Sequence, residues 1–122
     1  MIHRALQQHD LAPDHAARFV AGARVRPGQT VLEVGPGQGA ITAALLAAGA
    51  RVAAVERDPA RAGALRARFP AEVGDGRLQV LCGDALDLHP ALPAGWRVVA
   101  NPPFQLTSDL LRRWLLEDLP GG

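Results

Sequence analysis

The stretch Val31-Leu32-Glu33-Val34-Gly35-Pro36-Gly37-Gln38-Gly39 decides how this chain is expected to fold. An apolar run holding one acid breaks into glycines at every second position, and an apolar helical pattern from Ala40 to Ala48 follows at once. A buried strand that stops at a glycine turn and feeds a helix N-terminus makes a cofactor seat at the carboxyl end of a sheet. Gly35 and Gly37 matter there because a side chain would keep a ligand away from the backbone N–H groups.

Working outward, strands and helices alternate. Upstream, residues 1–11 are mostly polar and receive no element, while Pro13 with Asp14 beside it opens a helix that ends near Gly22. The first strand is Thr30 to Val34, and Gly49 stands just past the following helix as its C′ residue. Arg51 to Val55 is a second strand with Glu56 at its end. Pro59 opens a helix to about Phe69, where Pro70 stops it, with Arg61, Arg66 and Arg68 on its wetter side. Leu78 to Leu81 is a third strand, closed by Gly83-Asp84-Ala85, and Arg97 to Ala100 is a fourth, followed by Asn101-Pro102-Pro103-Phe104. Thr107 or Ser108 caps a last helix through about Leu116. This alternation predicts an α/β fold, a doubly wound and mostly parallel sheet with right-handed crossovers.

Composition bounds the rest. The 122 residues make one domain at most, and 48% hydrophobic with 20% charged residues suits a packed core. A net charge of +1 provides no general field for polyanions, and all 13 basic residues are Arg. Cys82 is the sole cysteine, so neither a disulfide nor a cysteine zinc site forms within the chain, and it reads as a small core residue. His3, His9 and His15 show no metal-ligand spacing, His89 reads as a solvated loop residue, and Trp96 and Trp114 read as packing. No apolar run reaches the roughly 18 residues of a membrane span, and Met1-Ile2-His3-Arg4 has no signal-peptide core. A cytoplasmic protein without a membrane partner is the expectation.

The glycine turn alone leaves two cofactors open. Gly35-x-Gly37-x-x-Ala40 also fits the dinucleotide fingerprint, and Glu56 could accept both hydroxyls of a nicotinamide or an S-adenosyl-L-methionine ribose. Two later features favour the second. Asp84 at the third strand end can accept from an adenine amino group. Asn101-Pro102-Pro103-Phe104 suits methylation of an amine: the Asn101 side-chain oxygen and the Pro102 carbonyl can accept its two protons, and Phe104 offers a face for an extruded base. The bland alternatives are a turn cap for Glu33, a solvated strand-end acid for Glu56 and an ordinary turn aspartate for Asp84.

These motifs resemble a class I S-adenosyl-L-methionine-dependent methyltransferase, and more narrowly the rRNA adenine N6-methyltransferases of the Erm and KsgA group. The resemblance runs from about Gln8 to Leu116. Gln8-His9-Asp10-Leu11 is similar to the opening Gln-Asn/His-Phe-Leu motif, with Asp10 in place of Phe, and Pro102 stands where most members carry Leu or Ile. The resemblance implies that Gln8, His9 and Leu11 cover the cofactor, and that Glu33, Gly35 and Gly37 seat it. It further implies contacts from Glu56, Arg57, Asp84, Ala85 and Asn101, with Asn101, Pro102 and Phe104 as the catalytic set.

The stretch Arg97 to Phe104, followed by a Ser/Thr and a Leu-Leu-Arg helix, is similar to short Erm-like members. That implies 23S rRNA as the partner and macrolide-class antibiotic resistance. Small-subunit rRNA, DNA adenine and protein glutamine are the alternatives. A complete fold of this class has seven strands, against the four read here. A fragment or a shortened member is therefore expected, with the strand 97–100 at an open edge, self-association of the isolated chain, and a missing C-terminal segment or partner chain to finish the sheet. An incomplete, non-catalytic cofactor-binding piece is the reading from another class.

Overall fold

The computed structural model describes residues 2–4, 12–84 and 92–100. Its sheet is built around the strand that precedes the glycine turn. The strands are β1 (Ile2–Arg4), β2 (Thr30–Val34), β3 (Arg51–Glu56), β4 (Leu78–Cys82) and β5 (Arg97–Ala100), in the order β1-β5-β2-β3-β4. Every pairing is parallel. β2 lies between β3 and β5, with Val34 in register with both Val55 and Ala100.

The central strands are mostly apolar, Glu33 of β2 being the buried exception, because both their faces are covered. On one face Val31, Val52, Ala54, Leu78, Val80 and Val99 meet the helices; on the other Leu32, Val34, Ala53, Val55 and Val98 pack with Trp96. The helices are α1 (Pro13–Gly22), α2 (Ala40–Ala47), α3 (Pro59–Arg68) and α4 (Pro70–Gly74). Ala16 and Val20 of α1, Ile41 and Leu45 of α2, and Ala62 and Leu65 of α3 are buried in the first of these clusters. Full burial of a side chain such as Ile41 or Leu45 is worth about 1.5–3 kcal/mol. Among the described residues no helix is long and apolar enough to cross a membrane.

The architecture is the expected one, a parallel α/β sheet with flanking helices, and three sequence readings need correction. The strand 97–100 is not at an open edge, because β1 lies alongside it with Ile2, His3 and Arg4 opposite Val98, Val99 and Ala100. A three-residue strand that rests on backbone pairing leaves no apolar pattern to read. Pro70 does not simply end a helix. Phe69 leaves the helical region at φ −124°, ψ 57°, as the residue before a proline tends to, and Pro70 then opens α4. Cys82 is exposed rather than core, as is Gln79, because both sit on the outer strand β4.

Candidate functional site

Parallel strands bring their carboxyl ends to one edge of the sheet, and the chain turns there three times among the described residues. From β2 it proceeds through β3 to β4 on one side, whereas β5 pairs on the other side of β2. The end of β2 is therefore a point where the strand order reverses, which is where open α/β sheets form a crevice.

The first turn is Gly35 to Gly39. Gly35, Gly37 and Gly39 have φ of 71°, 58° and 98°, a region that glycine enters without steric cost. Their jobs differ. A Cβ on Gly37 would meet nothing within 4 Å among the described residues, so the turn there is open on their side. A Cβ on Gly39 would lie 3.0 Å from Arg68 Nη1, 3.0 Å from Leu65 Cδ1 and 3.2 Å from Phe69 Cε2. The third glycine is thus required by packing against the end of α3. Gly39 also caps α2, and its carbonyl accepts from Ala43 N at 2.8 Å.

The second turn follows β3. Glu56 is buried, and its Oε2 accepts from the Asp58 backbone N–H at 2.9 Å. Asp58 in turn caps α3, its Oδ1 accepting from Ala60 N at 3.0 Å. The third turn follows β4, where Gly83 N donates to the Glu56 carbonyl at 2.9 Å. Gly35 N donates likewise to the Val55 carbonyl at 3.1 Å, so the ladder continues past the strand ends and ties neighbouring turns together. Arg57 Nη2 stands 3.9 Å from Asp84 Oδ2 in a partly exposed ion pair, worth about 0–1 kcal/mol. Gly35, Gly37, Glu56, Arg57 and Asp84 are therefore brought to one end of the sheet.

Glu33 is different. It has no solvent exposure and points to the α2 side, where Thr42 Oγ1 donates to its Oε1 at 2.5 Å. Its Oε2 has no hydrogen-bond partner among the described residues. Burial pushes the carboxyl up from 4.5 to about 7, and the Thr42 bond opposes that. Glu33 thus underlies the turn instead of lining an open surface.

Gln8, His9, Leu11, Ala85, Asn101, Pro102 and Phe104 lie outside the described residues. Asn101 follows Ala100 in the sequence, and Ala100 is the register partner of Val34 at the edge where the turns gather. Sequence reasoning missed Thr42, Asp58 and Arg68. A lone hydroxyl in the apolar helix α2 and an Asp before Pro59 were usable signals for the first two. Arg68 contacts the carbonyl of Gln38, 30 residues away, and no local pattern reports that.

Residues 3–121 match the family model described as ribosomal RNA adenine dimethylase. The ribosomal RNA small subunit methyltransferase A of Caulobacter vibrioides is 44% identical over 118 residues, covering 94% of this chain and 45% of that protein. The solved 23S rRNA methyltransferase ErmE superposes with a TM-score of 0.70 at 30% identity, over 88% of this chain and 42% of that one. The glycopeptide N-methyltransferase MtfA, solved with sinefungin, gives a TM-score of 0.67 at 25% identity, over 100% of this chain and 52% of that one. The chain spans less than half the length of the Caulobacter relative.

Proposed function

The chain belongs to the ribosomal RNA adenine dimethylase family, and from that premise we propose that it binds S-adenosyl-L-methionine and serves methyl transfer to N6 of an adenine in rRNA. The observation that carries this is the gathering, at one end of the sheet, of a glycine turn open at Gly37 with the carboxylates of Glu56 and Asp84. That donor and acceptor set fits the cofactor: backbone N–H groups for its amino-acid end, Glu56 for the ribose hydroxyls and Asp84 for the adenine amine. Arg57, 3.9 Å from Asp84, stands beside that acid at the same corner. When bound, S-adenosyl-L-methionine supplies an electrophilic methyl group on a sulfonium.

The chain's own part is positioning. The Asn101 side-chain oxygen and the Pro102 carbonyl accept the two protons of the target amine, freeing the nitrogen lone pair, and Phe104 stacks on the flipped base. On this reading Gln8, His9, Leu11 and Ala85 would contribute to holding the cofactor. No strong base is required, because the alkylated nitrogen turns acidic and sheds its proton to water.

Small-subunit rRNA is the favoured target, supported by the name of the Caulobacter relative at 44% identity. A large-subunit target, with the antibiotic resistance it would bring, is the second reading. It is favoured by the likeness to ErmE at 30% identity and by the Arg97–Phe104 stretch. Methyl-labelled cofactor is offered with small-subunit particles, 23S rRNA, DNA and protein in separate reactions, and the labelled base is mapped. Label on adenine N6 of small-subunit rRNA is expected; label in 23S rRNA selects the second reading; label confined to DNA or protein overturns both.

A further inference from the structure

The last residue of α3 reaches back over the glycine turn. Arg68 Nη1 donates to the carbonyl of Gln38, and its guanidinium lies over the Phe69 ring, 5.1 Å from the centroid. Beneath it the fit is close, since a Cβ on Gly39 would stand 3.0 Å from that same Nη1. The other arginines of α3 are engaged elsewhere: Arg61 pairs with Asp58 at 3.7 Å, and Arg66 donates to the Val80 carbonyl at 2.9 Å. The opposite end of α3 is also fastened to the site, because its cap residue Asp58 donates its N–H to Glu56.

One helix thus holds two turns, the glycine turn at its C-terminus and the Glu56 turn at its N-terminus. The glycine turn needs such a hold. Three of its five residues are glycines at positive φ, and a glycine segment left to itself samples many conformations. A charged donor on the Gln38 carbonyl orders the turn before a ligand arrives, so less ordering remains to oppose binding. We infer that Arg68 is a positioning residue for the cofactor, holding the turn Gly35–Gly39 in its receptive shape and setting its distance from Glu56 through α3. This rests on the cofactor reading above.

Calorimetric titration of the protein with S-adenosyl-L-methionine, beside thermal melts, tests it in the wild type, Arg68→Ala, Arg68→Lys and Arg61→Ala. Because Arg68 is exposed, Arg68→Ala is expected to melt close to wild type yet bind roughly three- to tenfold more weakly. Arg68→Lys, which can still donate to the Gln38 carbonyl, should recover part of that loss, and Arg61→Ala should bind as wild type. A purely structural role would lower the melting temperature and leave the affinity of the folded protein unchanged. Wild-type affinity in Arg68→Ala, or in Arg68→Met should the alanine variant fail to fold, overturns the assignment. Absence of binding by the wild type is a separate outcome: it overturns the cofactor reading and this inference with it.

Discussion

Thr42 of α2 donates to Glu33 of β2 at 2.5 Å, and neither residue has any solvent exposure. A carboxylate so buried, with one neutral donor and its second oxygen without a partner among the described residues, is costly to ionise. The folded protein therefore holds the proton more tightly than the unfolded chain does. The carboxyl moves from 4.5 to about 7, which corresponds to about 3 kcal/mol. The sign follows from proton uptake: between these two values the folded state binds more protons, so stability falls as pH rises. The contribution is intact below 4.5, declines through the interval and levels above about 7. Denaturant midpoints across that range should fall in the wild type and stay flatter in Glu33→Gln. In Thr42→Val the loss should be larger at pH 8 than at pH 5, because the ionised form loses its one side-chain donor. A wild-type profile as flat as that of Glu33→Gln would count against a buried neutral Glu33.

Gly37 and Gly39 have positive φ alike, but among the described residues only the second is hemmed in. Alanine at Gly37 meets open space and costs only the left-handed strain, about 1 kcal/mol. Alanine at Gly39 adds contact with Arg68, Leu65 and Phe69 to that strain, and should cost about 2–3 kcal/mol. The order reverses for cofactor affinity, since the space beside Gly37 is where the ligand is proposed to lie. Melts and titrations of the two variants should rank them oppositely. If Gly37→Ala binds S-adenosyl-L-methionine as wild type does, the seat lies elsewhere.

The four inner and outer strands at 30–34, 51–56, 78–82 and 97–100 were readable to within a residue, because strands of a parallel sheet are written as short, mostly apolar runs between turn signals. Ile2–Arg4 was not, since three residues are too few to show a period and the strand is seen only through its parallel pairing with β5. The turn glycines were legible as a group, yet their division of labour was not: Gly39 is explained by Arg68 and Phe69, about thirty residues further on. Cys82 misled because apolar strand residues suggest a core position, and only the sheet order reveals that β4 is an outer strand among the described residues.

Glu56 has two tasks that one substitution can separate. Its Oε2 accepts from Asp58 N and so anchors the start of α3, and its charge is proposed to hold the ribose. Glu56→Gln keeps an oxygen for the Asp58 N–H but removes the charge; Glu56→Ala removes both. Hydrogen bonds to a charged acceptor are worth about 1.5–3 kcal/mol, so both variants should bind the cofactor at least tenfold more weakly. Only Glu56→Ala should also lower the melting temperature. Equal melting points in the two would show that the Asp58 contact does not anchor α3.

Asn101 is proposed to act on the target amine and not on the resting cofactor, so binding and turnover should part company in Asn101→Ala. Two hydrogen bonds donated by the amine turn its nitrogen from a conjugated, poorly nucleophilic group into one whose lone pair is free, and that benefit is realised as the methyl moves. Interactions that strengthen only in the transition state appear in the rate, and losing one such contact typically costs about a hundredfold or more. Titration of Asn101→Ala with S-adenosyl-L-methionine should therefore give an affinity near wild type, while labelled methyl transfer to rRNA falls by roughly that factor. A variant that loses affinity and rate in equal proportion would assign Asn101 to holding the cofactor. One that methylates at the wild-type rate would remove it from the chemistry, and with it the role given to the Asn-Pro-Pro-Phe corner.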